Sequence, residues 1–225
     1  MALLKGEGTH QILYGSADIF SGLRHNRGYV ARPDHAGSFP AVILLHGAAG
    51  ISSSVKSFAR RLARHGLAVV GPDLFRGVPS RLSPPYPAAS QVLADAANTL
   101  HWAASPDTAW VRPGPIGVVA LDRAASAAVE FAAAHDVGGL ALVAPVLEPT
   151  VVADVAVLGF YGKDDEVVGD EDRAAVQEAL SHGEWVLYGG AGHGLIDDSA
   201  PDYRWDVGED VTARMVRFFG VALEP

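Results

Sequence analysis

The chain contains no cysteine. That absence removes disulfide scaffolds, zinc ribbons, iron–sulfur centres and thiol nucleophiles, and it fits a reducing compartment. Long apolar runs are missing too, since none approaches the roughly 18 residues of a membrane span. Clustered positive charge is scarce: 17 Lys and Arg stand against 26 Asp and Glu, for a net charge of −9. The nearest approach to a basic patch, Arg60, Arg61 and Arg64, falls where a helix turns its outer face to water. A nucleic-acid or anionic-membrane surface therefore has no footprint. The segment Met1–Gly6 lacks the apolar core of a signal peptide. These exclusions predict a cytoplasmic, soluble protein, monomer or homodimer, whose partner is a small-molecule substrate.

What is present is a globular composition, 49% hydrophobic and 19% charged over 225 residues, enough for one core and short for two domains. Apolar runs too short for helices recur at Ala41–Leu45, Leu67–Val70, Ile116–Ala120, Leu140–Val143 and Val155–Phe160. Their unbroken Val/Ile/Leu/Ala character predicts strands buried on both faces, as in a parallel sheet. Helical stripes alternate with them: Val55, Phe58, Ala59 and Leu62, preceded by capping serines and stopped by Gly66; Val92, Ala96, Leu100 and Ala103; the alanine-rich Ala124–Ala134; Asp170–Leu180; and Val211, Met215, Phe218 and Phe219. Gln11–Tyr14 and Gly28–Ala31 read as antiparallel edge strands. The Pro-dense Val78–Pro87 reads as a surface loop near a site. The expectation is a single α/β domain over residues 1–225, a doubly wound, mostly parallel sheet of about eight strands.

Four local patterns fall at the ends of these strands. Ala41–Leu45 runs into His46-Gly47-Ala48-Ala49-Gly50, small residues that let a tight loop aim backbone N–H groups at a developing oxyanion. Ile116–Ala120 runs into Ala120-Leu121-Asp122-Arg123-Ala124 and then a helix, the strand–turn–helix context of a nucleophile elbow. Small residues flank the elbow because strand and helix crowd each other there. Val155–Phe160 ends in Gly162-Lys163-Asp164-Asp165-Glu166-Val167-Val168, and the spacing selects Asp165 over Asp164 as the acid that orients a histidine. The predicted last strand, Trp185–Tyr188, precedes Gly189-Gly190-Ala191-Gly192-His193-Gly194, which makes His193 the candidate base; His10, His25, His101 and His182 lack such a context. The order Asp122, Asp165, His193 is that of the α/β-hydrolase fold. Ala48 and Arg123 are the candidate oxyanion-hole donors. Arg76 and Tyr86, with Arg81, are candidate substrate contacts.

Here the sequence resembles the dienelactone hydrolase family. Gly71-Pro72-Asp73-Leu74-Phe75-Arg76-Gly77 is similar to that family's Pro-Asp-Leu-Phe segment. Gly189–Gly194 is similar to its histidine loop, and the last helix, with Trp205 and Phe218-Phe219, to its C-terminal helix. The resemblance spans about residues 10–220 and implies a compact hydrolase of small esters or lactones, without cap domain, metal or organic cofactor. Departures accompany it. The family's nucleophile is cysteine or serine, and this chain has Asp122. Its thiol-type members carry a glutamate in the first loop, where this chain has Gly47. Members that hold a carboxylated lactone use a basic residue shortly after the histidine, where this chain has Asp197.

A carboxylate nucleophile gains nothing by attacking an ester, because the anhydride-like intermediate offers no gain over the starting ester. It suits displacement at saturated carbon, opening an epoxide or expelling a halide. Haloalkane dehalogenases and epoxide hydrolases of the superfamily work so, and Asp122-Arg123 resembles the Asp-Arg pair of haloacetate dehalogenases. Their helical cap has no room here, since only Ala144–Asp154 separates two strands. Two further readings stand beside this one: a non-hydrolytic acid/base enzyme (cyclase, isomerase or lyase), and an inactive hydrolase-fold binding protein.

Overall fold

The computed structural model describes residues 8–21, 24–147 and 153–224, so the Met1–Gly6 reading and part of the Ala144–Asp154 segment lie outside the described residues. Eight strands form one sheet: β1 (Ile12–Ser21), β2 (Arg24–Pro33), β3 (Ala41–Leu45), β4 (Ala68–Pro72), β5 (Ile116–Leu121), β6 (Val137–Val143), β7 (Val157–Gly162) and β8 (Glu184–Tyr188). Their order is β1-β2-β4-β3-β5-β6-β7-β8. The β1–β2 and β2–β4 pairs are antiparallel and the others parallel. Among the described residues five α-helices accompany them: α1 (Ser53–Arg64), α2 (Ala89–Ala103), α3 (Ala125–Ala134), α4 (Asp170–Ala179) and, after the last strand, α5 (Trp205–Ala222). This is the doubly wound α/β-hydrolase architecture. The chain between β6 and β7 is too short to build a helical cap, and no helix among the described residues is long and apolar enough to cross a membrane.

The alternation of side chains along each strand divides the interior into two cores. On β3, Ala41, Ile43 and Leu45 face α2 and α3 through Val92, Ala96, Ala128 and Phe131. Val42 and Leu44 face α1 and α5 through Phe58, Leu62, Val211 and Phe219. Every residue of β3, β4 and β5 is buried, which is why these strands read as continuous apolar runs. Ser52 caps α1 by accepting the Val55 N–H at 3.2 Å, and Gly66 leaves the helix at φ +99°, a left-handed stop that suits glycine.

The hairpin differs from the sequence reading. β1 and β2 are each ten residues long, and β2 is an interior strand, paired with β1 on one side and β4 on the other. Its extension pairs Asp18 with Arg27 and Phe20 with His25. Such residues carry no apolar alternation because much of this arm is exposed. The elbow also begins earlier than the predicted helix, in a 3₁₀ turn over Asp122–Ala124.

Candidate active site

The parallel strands end on one side of the sheet, where open α/β folds bind ligands. At the end of β5 the chain turns with Asp122 at φ +51°. A left-handed backbone at a non-glycine residue costs about 1–3 kcal/mol, and here it lifts the side chain clear of both strand and helix. The Val146 N–H donates to the Asp122 carbonyl at 3.1 Å and holds the turn from the β6 side. The Asp122 carboxylate is 19% exposed. Its Oδ2 accepts the Ala48 N–H at 3.0 Å, and its Oδ1 stands 3.7 Å from His193 Nε2. That second distance is an ion-pair approach, too long for a hydrogen bond.

His193 follows β8 on its glycine-rich loop. Its Nδ1–H donates to Asp165 Oδ2 at 2.9 Å. The other oxygen of Asp165 accepts the Val167 and Val168 N–H groups at 2.8 and 3.0 Å, so the carboxylate is locked and fully buried. His193 thus lies between two carboxylates. Burial alone would lower its pKa, but Asp122 and Asp165 outweigh burial and hold it above the usual 6.5. Burial alone would raise Asp122, but His193, the Ala48 N–H and the Arg123 charge outweigh it and hold the carboxyl below 3.8. The opposite directions describe one ion pair.

The loop that supplies Ala48 is pinned from behind by His46, which the sequence singles out only as part of a small-residue motif. His46 is completely buried. Its Nε2 accepts the Leu74 N–H at 3.0 Å, which leaves the proton on Nδ1, donated to the Gly47 carbonyl at 2.9 Å. Burial lowers its pKa, so the ring is neutral. Tyr86 adds a third tie, its hydroxyl donating to the His46 carbonyl at 2.9 Å. Asp73 shapes the adjoining turn by accepting the Phe75 and Gly77 N–H groups.

Asp122, Ala48 and His193 line a cavity of about 120 Å³, with Asp165 behind His193. Val55, Leu121, Val143, Leu195 and Ile196 make its apolar wall. The other candidates fall elsewhere. Arg76 is not among the lining residues; its guanidinium pairs with Asp95 at 3.0 Å. Tyr86 is not among the lining residues, and its hydroxyl proton is committed to the His46 carbonyl. The Arg123 side chain is exposed and lies outside the cavity lining, while its backbone N–H, the candidate donor, follows Asp122 in the elbow turn. Arg81 lines a larger cleft of about 690 Å³ between the β1–β2 hairpin and the 73–81 segment. That cleft does not include the converging residues, which open onto the smaller cavity. No cluster of His, Asp and Glu among the described residues is arranged to hold a metal ion.

The family model that matches this chain is that of the dienelactone hydrolase family, over residues 26–109. That stretch includes the His46–Gly50 loop and the Pro72–Phe75 segment and ends before Asp122. A Yersinia pestis protein named "putative carboxymethylenebutenolidase" is 28% identical, the alignment covering 94% of this chain and 89% of the relative. Among solved structures, a "putative dienelactone hydrolase" from Klebsiella pneumoniae superposes with a TM-score of 0.82 at 23% identity, covering 94% of this chain and 99% of that one. A dienelactone hydrolase-like promiscuous phosphotriesterase from metagenomic libraries superposes with a TM-score of 0.79 at 18% identity, covering 95% and 99%.

Proposed function

We propose, for a chain that belongs to the dienelactone hydrolase family, that Asp122 is the nucleophile of a hydrolase acting on small epoxides or alkyl halides, with His193 and Asp165 activating water. The observation that carries this reading is the division of labour between the two oxygens of Asp122. Oδ2 occupies the position an oxyanion takes in front of the Ala48 N–H, while Oδ1 faces His193. An external carbonyl oxygen would find that donor already engaged. The donor instead serves the carboxylate itself.

The steps follow from that placement. Asp122 attacks a saturated carbon of the substrate, the carbon–oxygen bond of an epoxide breaks, and an alkyl ester forms on the protein. The leaving alkoxide takes its proton from His193, whose charged form its two carboxylate neighbours favour. Esterification removes the Asp122 charge, so the now neutral imidazole is no longer driven to reprotonate and serves as a base. It takes a proton from water, and the resulting hydroxide adds to Cγ of Asp122. The tetrahedral oxyanion forms at the oxygen held by Ala48 N–H. Collapse releases the diol, which carries off the proton from His193. Asp122, left protonated, then returns its proton to His193, and the resting ion pair is restored. With a halide the first step expels the anion, and the imidazolium proton passes to solvent. The sum is addition of one water in the first case and exchange of halide for hydroxyl in the second.

A second reading rests on the same approach of His193 to Asp122: the two acting as acid and base on a substrate that is rearranged without hydrolysis. Isotope tracing separates the two. Single turnover in ¹⁸O-water should place label in the peptide containing Asp122, because water attacks the carboxyl carbon. With an alkyl halide, whose departure needs no proton, His193→Gln should let the first step proceed and accumulate a covalent adduct at Asp122, visible by intact-protein mass spectrometry. Label in product with none in Asp122 would end the nucleophile reading.

A further inference from the structure

The cavity has a second carboxylate. Asp197 lies on the loop after His193, its N–H donating to the Gly194 carbonyl at 3.1 Å and its own carbonyl accepting the Ala200 N–H at 3.0 Å. All of its side-chain hydrogen bonds fall on one oxygen. Oδ1 accepts from the Ser54 hydroxyl at 2.5 Å, the Ser199 hydroxyl at 2.6 Å and the Ser199 N–H at 3.0 Å. Ser54 is buried on α1, so this tie joins α1 to the loop after His193 across the cavity lining. Oδ2 accepts nothing from the described residues. Asp197, Ser54 and Asp122 all line the same cavity.

The charge balance of that lining is uneven. Its titratable residues are Asp122, His193 and Asp197, and it contains no Lys or Arg among the described residues. His193 is already shared between Asp122 and Asp165. Asp197 has no cationic side chain within ion-pair reach among the described residues, while three donors hold it in place. Burial would raise its pKa, but the Ser199 and Ser54 hydrogen bonds outweigh burial and keep it ionised at neutral pH. A substrate carboxylate entering here meets a fixed negative charge, whereas an ammonium group meets an unoccupied acceptor oxygen.

We infer that Asp197 is a specificity-determining residue that selects small substrates bearing a protonated amine and rejects those bearing a carboxylate. This rests on the reading of the cavity as the substrate site and names the substrate class of that site. The cavity volume of about 120 Å³ restricts the enclosed part to a few non-hydrogen atoms, so the amine would sit close to the reacting carbon.

The test reads binding, so that it stands apart from catalysis. Propylammonium and propionate, close in size and opposite in charge, are titrated separately into the full chain while the His193 ring resonances are followed by NMR. Propylammonium should bind at least about tenfold more tightly than propionate. Asp197→Asn keeps the acceptor oxygen for Ser54 and Ser199 and removes the charge; it should shrink that ratio by about tenfold. Ser54→Ala, which removes one donor fixing the carboxylate, should shrink it by a smaller factor. The inference is overturned if propionate binds as well as propylammonium, if neither moves the His193 signals, or if Asp197→Asn leaves the ratio unchanged while the protein stays folded by its melting curve. Asp197-dependent amine binding without turnover of any epoxide or halide would preserve this inference and defeat the functional reading instead.

Discussion

A Cβ placed on Gly47 would stand 2.6 Å from the Cβ of Asp122 and 2.8 Å from its Oδ2. Gly47 has an ordinary backbone, so the glycine is required by close approach and not by conformation. An aspartate fits at the elbow because the facing loop has no side chain there. Gly47→Ala should push the carboxylate off the Ala48 N–H. The expected outcome is a folded protein destabilised by about 1–3 kcal/mol, with kcat/KM reduced about a hundredfold or more. Chemical denaturation and steady-state kinetics on the same preparation check both halves.

The engaged Ala48 N–H also predicts what the protein will not do. Wild-type chain should hydrolyse p-nitrophenyl acetate no faster than background, since the ester oxygen has no free donor and an acyl–Asp122 anhydride offers no gain. Asp122→Ser should release the donor and leave His193 and Asp165 in place, giving a weak esterase whose activity disappears again in Asp122→Ser/His193→Gln. Rapid, Asp122-dependent ester hydrolysis by the wild type would contradict this account.

The ion pair has a pH signature. The folded-state pKa of His193 is raised above 6.5, so its stabilisation is complete below about 6.5 and fades as pH rises through the folded value. The pKa of Asp122 is lowered below 3.8, so its share is present above about 3.8 and fades as pH falls through the folded value. The two shares overlap between weakly acid and neutral pH. Asp122→Asn should therefore lower the His193 pKa measured by NMR. The stability of wild type relative to His193→Gln should be greatest in that window and shrink toward alkaline pH. A His193 pKa unmoved by Asp122→Asn would remove the pairing.

His46 offers a test of the loop without touching the reacting groups. His46→Ala leaves the Leu74 N–H without a partner in a buried site and takes from the Gly47 carbonyl one of its two donors, the other being the Gly50 N–H. It should cost about 2–4 kcal/mol and reduce kcat more than it changes KM, because the Ala48 donor moves. His46→Asn should recover part of the stability. Urea denaturation with the kcat and KM split distinguishes loop disorder from simple unfolding.

The sequence made the central strands legible because burial on both faces leaves only apolar residues, as in β3, whose ends match the predicted Ala41–Leu45. It showed much less of the hairpin, where exposure permits residues such as Asp18, His25 and Arg27. Asp122, Asp165 and His193 were identifiable by their order at strand ends, and the structure brings the three together. The His46 ties were hidden, because both ring partners are backbone groups that no side-chain pattern records. Arg76 attracted notice by its nearness in sequence to the Pro72–Phe75 segment, yet its guanidinium reaches Asp95, nineteen positions away on α2. Asp197 stood out in sequence only as the acid where relatives carry a base; its tie to Ser54 spans 143 positions.

The anchoring of the loop by His46 and Tyr86 makes the framework separable from the reagent. Neither tie passes through residue 122, so the donor at Ala48 keeps its place whichever functional group the elbow carries. Hydroxyl, thiol and carboxylate become interchangeable parts on a common chassis, and a change of reaction class requires one replaced residue and room opposite it. In a lineage, such a site can change its chemistry first and refine its pocket afterwards, without passing through an unfolded ancestor.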